Sequence, residues 1–192
     1  MAPFFKKLKG FISPLVWAGF TVIEVIMVIV IVAILVILAI PRFEAFYAIK
    51  LEGAVRKVVE NIRYVQQLAI SKHNDCRIEF DAADDSYQAC YCNEADGQCD
   101  AGACGDTNWS AIIDPFSRLG LSVDFTIHNQ YKGVDISSPD FGGTNTLRFD
   151  WQGIPQNSTR SNLTTSGSVS FSYHNNSRTV YVEPNTGLVK RE

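Results

Sequence analysis

The feature that most constrains this chain is an apolar run near its amino terminus. Of the 21 residues Phe20–Ile40, 19 are apolar, and only Thr21 and Glu24 interrupt them. As a helix that rises about 1.5 Å per residue, the run reaches roughly the 30 Å thickness of a bilayer core. The sequence therefore predicts one membrane-spanning helix, and the 192-residue length leaves room for one globular domain after it.

The order of charges predicts how this helix lies in a membrane. Lys6, Lys7 and Lys9 precede the run, and no acidic residue does. Because basic residues keep the preceding end of a span in the cytoplasm, the rest of the chain is expected to cross the membrane. A cleaved secretory signal is the alternative, but such signals have apolar cores of about 7–15 residues and a small-residue cleavage site. Here the run is longer, and bulky residues follow it at 40–43.

Glu24 is the unusual residue of the run. A charged side chain inside a membrane costs about 2.5–3.5 kcal/mol on insertion scales, so such residues are functional by default. The alternative is that Glu24 lies near the interface and its side chain reaches water. If the chain were cut between Gly19 and Phe20, the new amine would lie one helical turn from Glu24. If two such helices packed side by side with an offset along their axes, the Phe20 amine of one helix could lie against the Glu24 carboxylate of the other.

The segment Gly19-Phe20-Thr21-Val22-Ile23-Glu24-Val25, with the apolar run that ends in Ala39-Ile40-Pro41, resembles the signature of type IV prepilins and type II secretion pseudopilins. The resemblance implies that a prepilin peptidase cuts after Gly19 and methylates the Phe20 amine. It also implies that Glu24 sets the register of the subunit in a helical filament and that Pro41 loosens the helix. Loss of the three leader lysines would change the net side-chain charge from −3 to −6.

The periodicity beyond Pro41 predicts an α+β fold. Over residues 42–75, apolar residues recur every three or four positions, as in an amphipathic helix that packs on a sheet. From Cys76 the pattern changes to short alternating runs and turns, of which residues 169–182 give the clearest hairpin. We therefore divide the chain into a leader (1–19), a membrane and filament-core helix (20–41), an amphipathic helix (42–75) and a β-rich head (76–192).

Looser similarities extend over most of the chain after the predicted cleavage site. The segments Leu51–Ala54, Val65–His73, Leu147–Pro155 and Val180–Val189 resemble GspH/FimT-type minor pilins, and MSHA-type minor pilins share similar features. The type of assembly system therefore stays open between type II secretion, type IV pilus, MSHA-type and competence systems. The resemblance implies a long amino-terminal helix on a small antiparallel sheet, located in the bacterial inner membrane and then in a periplasmic or cell-surface filament.

The cysteines predict a disulfide-bonded loop. Four of the five lie within 15 residues of polar, glycine-containing sequence, which suits an oxidising compartment, namely Cys90, Cys92, Cys99 and Cys104. Alternation in a strand turns Cys90 and Cys92 to one face, so each is expected to pair with a later cysteine, leaving Cys76 free. A zinc site is the alternative, but paired C-x2-C knuckles are absent, and the calcium-loop spacing is absent among the nearby aspartates.

The function classes follow from these features. His73, His128 and His174 are scattered and accompany no catalytic motif, so we expect no enzyme activity, no cofactor and no metal. The first class is a structural subunit, with other pilins, the prepilin peptidase and the inner-membrane assembly platform as partners. The second is a DNA-capturing minor pilin, for which the candidate contacts are Arg160, Arg178, Lys190 and Arg191, although the chain is acidic overall. A membrane-anchored enzyme is the third.

Overall fold

The structure is a computed structural model that describes residues 19–99 and 102–192, without the side chains of residues 38–44. The chain divides between Arg42 and Phe43 into two compact units. The leader lysines lie outside the described residues, as does Asp100, one of the aspartates near the cysteines that lack the calcium-loop spacing.

One helix, α1 (Val22–Lys72), accounts for the amino-terminal part of the described chain. Its backbone stays helical through Pro41, and it ends where His73 adopts a positive φ of 55°. The apolar stripe predicted beyond Pro41 is buried from Ala54 onwards, except for the half-buried Leu68, and comprises Ala54, Val55, Val58, Ile62, Val65 and Ala69. Leu51 and Val59 are buried beside it. Phe46 and Ile49, which the same periodicity assigned to this stripe, are 59% and 70% exposed and do not pack on the sheets.

Two antiparallel sheets follow α1 in the second unit. The strands are β1 (Cys76–Asp81), β2 (Ser86–Cys92), β3 (Trp109–Ala111), β4 (Ser122–Asp124), β5 (Asp135–Asp140), β6 (Thr146–Phe149), β7 (Pro155–Gln156), β8 (Gly167–Tyr173), β9 (Asn176–Val182) and β10 (Val189–Arg191). The first sheet has the order β3-β2-β1-β6-β7, with β4 also paired to β2, and the second has the order β10-β9-β8-β5. The α+β fold predicted from the sequence is confirmed.

Two tight hairpins set the register of these sheets. In the first, β1 and β2 pair from Cys76 opposite Tyr91 to Asp81 opposite Ser86. The Asp81 carboxylate accepts hydrogen bonds from the backbone N–H groups of Ala83 and Asp84, which fixes the turn. In the second, β8 and β9 are joined by only two residues, and His174 takes the positive φ that this short turn requires. The sequence pattern predicts a four-residue tip, His174–Ser177, but Asn176 and Ser177 belong to β9, where they pair with Tyr173 and Ser172.

Both sheets share one apolar core with α1. Phe80, Phe125, Phe149 and Phe171 are fully buried in it, together with the buried stripe of the helix. Gln66 ties this face to two loops, because its side-chain amide donates to the carbonyl oxygens of Gly153 and Thr186, each at 2.9 Å. The segments Leu147–Pro155 and Val180–Val189 therefore both contact α1 at this glutamine.

Candidate functional site

The segment predicted for processing begins just before α1. Gly19 and Phe20 precede the helix and are exposed. Thr21 caps the helix, since the backbone N–H of Glu24 donates to the Thr21 carbonyl oxygen at 3.1 Å and to its hydroxyl oxygen at 3.3 Å. Thr21 and Glu24 thus have the spacing of a capping box, and an acid in the first turn interacts favourably with the helix dipole. The predicted cleavage site lies in non-helical chain directly before a capped helix.

The first part of α1 presents a continuous apolar surface. Every large apolar side chain from Phe20 to Ile37 is at least 48% exposed, and Glu24 is exposed among them. Within residues 19–99 and 102–192, no helix combines the length and apolarity required for a membrane crossing. An apolar surface of this extent is typical of a site that binds another protein or a membrane.

The cysteine-rich segment forms two disulfide bonds. Cys90 is bonded to Cys104 and Cys92 to Cys99, with Cα–Cα distances of 5.7 and 5.5 Å. The predicted disulfide-bonded loop is confirmed, and its sulfur atoms are bonded to one another rather than free as thiolate ligands. Cys76 is free and buried, and burial raises the pKa of its thiol to about 12.

A buried pair of arginines lies against this loop. Arg77 on β1 and Arg148 on β6 are directly opposite in register, and both are fully buried. The Arg77 guanidinium stacks on the Trp109 ring, 3.9 Å from its centroid, and its Nε donates to the Cys90 sulfur at 3.4 Å. Its Nη2 lies 2.9 Å from Oε1 of Glu79 but forms no hydrogen bond with it. The loop and Trp109 therefore cover this face of the first sheet.

The second arginine forms the most buried ion pair among the residues that the structure describes. The Arg148 guanidinium binds the Asp75 carboxylate, and its Nη2 also donates to the Cys99 carbonyl oxygen at 2.6 Å. Burial raises the pKa of Asp75 despite the neighbouring Arg148 and lowers the pKa of Arg77. Arg77 lies on the polar side of the alternating pattern of β1, and it is nevertheless buried because the disulfide-bonded loop and Trp109 cover that side.

Three of the four predicted DNA contacts lie at one edge of the head. Arg191 and Arg178 both pair with Glu52 on α1, with 3.9 Å between Arg178 Nε and the carboxylate, and Lys190 pairs with Glu183 at 2.9 Å. Arg160 lies elsewhere, where its guanidinium donates to the side-chain oxygen of Gln98. The structure thus brings together Arg178, Lys190 and Arg191, with glutamates already bound to them.

Glu52 is the residue at this edge that the sequence analysis did not single out. Besides Arg178 and Arg191, it accepts a hydrogen bond from Nε of Arg56, one helical turn further along α1, at 3.2 Å. The spacing of Glu52 and Arg56 is typical of a helical ion pair and could have indicated it. The two arginines contributed by strands of the second sheet have no such local spacing.

The histidines occupy three separate places and contact aromatic rings or backbone. His73 stacks on Trp151, and His174 stacks on Tyr47 with ring centroids 4.0 Å apart. His128 Nδ1 accepts hydrogen bonds from the backbone N–H groups of Gln130 and Tyr131. Burial and the charge of Lys57 lower the pKa of His128.

Comparison with known proteins shows similarity in structure. No family model matches the sequence, and no curated protein matches it. The minor pseudopilin EpsH of the Vibrio cholerae type 2 secretion system superposes with a TM-score of 0.50 at 9% identity, over 74% of this chain and 96% of EpsH. Two crystal forms of the Pseudomonas aeruginosa type IV minor pilin FimU superpose with a TM-score of 0.45 at 12% and 13% identity, over 74% of this chain and 87% and 92% of FimU.

At 9% identity the likeness to EpsH concerns the fold. It covers nearly all of EpsH, and this chain has the long amino-terminal helix and antiparallel sheets that the sequence signature implied. The chain therefore has the fold of type IV pilins and pseudopilins.

Proposed function

We propose that the chain is a minor pilin or minor pseudopilin, a structural subunit of a type IV pilus or of a type II secretion pseudopilus. The observation that carries this proposal is the exposed apolar surface of α1, with Glu24 in its first turn, on a chain with a pilin-like fold. An apolar helix of this kind is stabilised by a bilayer before assembly and by neighbouring helices after it.

Cleavage between Gly19 and Phe20 by a prepilin peptidase would create the charge that assembly requires. The amine of Phe20, once freed and methylated, is a cation one helical turn, about 6 Å, from Glu24. Between apolar helices the dielectric constant is low, so the amine of one subunit attracts the Glu24 carboxylate of its neighbour strongly. The subunit would insert in the inner membrane, expose its head to the periplasm and enter the filament through the assembly platform.

The role of Glu24 is tested by replacing it with alanine in cells that assemble the filament. We expect Glu24→Ala to insert in the membrane at the wild-type level but to be largely absent from sheared filaments, because the amine then lacks its carboxylate. Glu24→Asp, which keeps the charge, is the matched control and should retain part of the incorporation. Normal incorporation of Glu24→Ala would contradict the charge pairing.

DNA capture is the alternative function, and the observation in its favour is that Arg178, Lys190 and Arg191 share one edge of the head. Glutamates pair with all three, and the intact chain has a net charge of −3. A DNA-binding surface normally presents cations that are free to displace counterions. Capture would require duplex binding that weakens steeply as salt rises, and absence of binding at low salt would eliminate it.

A further inference from the structure

A shallow groove of about 540 Å³ runs between α1 and β9. Its lining combines small or apolar residues of the helix with charged ones and comprises Ala48, Ile49, Glu52, Gly53, Arg56 and Arg178. Ile49 is 70% exposed on its floor, although the neighbouring residue Leu51 is buried in the head. The α1–β9 groove thus offers apolar area that nothing covers within the described residues.

The charges at this groove do not balance. The Glu52 carboxylate forms ion pairs with three guanidinium groups, which belong to Arg56, Arg178 and Arg191. Among the residues that the structure describes, these arginines form no ion pair with any other carboxylate. Their side chains are 65%, 47% and 39% exposed, so they remain accessible to an incoming group.

We propose that the α1–β9 groove binds an acidic segment of an adjacent filament subunit. An aliphatic or aromatic side chain of that segment would lie on Ile49 and Gly53, and a carboxylate next to it would bind Arg56 and Arg178. Guanidinium groups bind carboxylates through paired hydrogen bonds that set orientation as well as affinity. This inference rests on the proposed filament function and names the chemistry of the neighbour at this face.

The same observations favour a protein carboxylate over a nucleic-acid backbone. A duplex presents a row of phosphates and requires a continuous stripe of cations. Next to the groove, however, Lys190 is paired with Glu183 and Arg63 with Glu60, so the excess positive charge is local. A phosphate backbone has no apolar surface to bury on Ile49, whereas an apolar side chain of a peptide gains stability when it is buried there.

The inference is tested with the full chain in cells that assemble the filament. We expect the double variant Arg56→Glu/Arg178→Glu to insert in the membrane normally but to enter sheared filaments at least fivefold less than wild type. The control is Arg118→Glu, which makes the same kind of replacement at one position, with half the change of charge, on an exposed loop away from the groove. It should stay within twofold of wild type. Equal incorporation of the double variant and the control would overturn the proposal.

A second measurement does not depend on the folding of a charge-reversed variant. A photo-crosslinking amino acid replaces Ile49, and the crosslinked peptides from sheared filaments are sequenced by mass spectrometry. The expected partner is another pilin-fold subunit, crosslinked within a few residues of an Asp or Glu. Crosslinks to DNA or lipid alone, or no crosslinks from incorporated protein, would overturn the proposal.

The two proposals fail in distinguishable ways. If the wild-type chain is absent from filaments, the proposed function is wrong. If the wild-type chain is present and the double variant enters as well as Arg118→Glu does, only the role assigned to the α1–β9 groove is wrong.

Discussion

At the scale of single residues, Arg148 is a buried cation on which the stability of the head depends. It is fully buried, it binds Asp75 and the Cys99 carbonyl oxygen, and it faces a second buried cation, Arg77, across the strand pair. Removing one member of a buried ion pair leaves the other charge without compensation in a low-dielectric interior. The head is therefore expected to be more stable with both Arg148 and Asp75, or with apolar residues in place of both, than with only one of the two charges.

We expect Arg148→Met to lower the free energy of unfolding by about 3–5 kcal/mol, even though it relieves repulsion with Arg77. The double variant Asp75→Leu/Arg148→Met should recover most of this loss, because no uncompensated carboxylate remains. Urea unfolding of the full chain in detergent, followed by tryptophan fluorescence, measures both. Additive losses in the double variant would show that the pair is not coupled.

A second residue-scale prediction concerns the close approach of Gly187 to the helix. Gly187 has a φ of 65°, and an added Cβ would lie 2.4 Å from Nε2 of Gln66 and 3.0 Å from a ring carbon of Phe149. Gly143 also has a positive φ, 82°, but no atom lies within 4 Å of its added Cβ. Gly143→Ala should therefore cost about 1–2 kcal/mol for its backbone conformation alone, and Gly187→Ala about 1–3 kcal/mol more for overpacking. Equal losses in the same unfolding experiment would contradict the clash.

At the scale of elements, periodicity explains what was predictable. The amphipathic part of α1 and the hairpins β1–β2 and β8–β9 are long enough for apolar residues to repeat several times with the period of a helix or a strand. The sequence therefore predicts them. The short strands β3, β4, β7 and β10 have two or three residues each, too few to show a period. Residues 138–168 are rich in Ser, Thr, Asn and Gly, a composition that predicts loops around one strand. The structure shows that they contain β6 and β7 and parts of β5 and β8.

The site was less predictable than these elements for a related reason. The cysteine composition indicated disulfide bonds, because four cysteines in a short polar segment suit an oxidising compartment. Glu52 pairs with Arg178 and Arg191, which lie 126 and 139 positions further along the chain. No local spacing in the sequence indicates such ion pairs. The burial of Arg77 depends likewise on a loop that returns over the sheet.

The disulfide-bonded loop leads to a prediction of thiol reactivity at the element scale. Because the pKa of Cys76 is raised to about 12, its thiol stays protonated at pH 8 and is also buried, so it should not react with iodoacetamide in the native protein. After unfolding without reductant, one thiol per chain should react, and after reduction five should. Five reactive thiols before reduction would contradict the disulfide bonds.

At the scale of the whole molecule, two compact units carry different parts of the proposed function. The second unit, from Phe43 to Glu192, contains both sheets and a shared core, and its disulfides stabilise it further. The first unit contributes the apolar helix, whose large apolar side chains are at least 48% exposed between Phe20 and Ile37. Under the proposed function, a membrane would stabilise this helix before assembly and other subunits would stabilise it afterwards.

Processing is the prediction that concerns the whole chain. In cells with an active prepilin peptidase, the mature protein should begin at Phe20 with a methylated amine, because the leader ends at Gly19 directly before the capped helix. Loss of Lys6, Lys7 and Lys9 makes the side-chain net charge −6 instead of −3, so the isoelectric point falls as the mass does. Intact-mass measurement, amino-terminal sequencing and isoelectric focusing check the three consequences together. Cells that lack the peptidase should retain the full 192-residue chain, and an intact leader where the enzyme is active would refute the cut and, with it, the amine that Glu24 is proposed to bind.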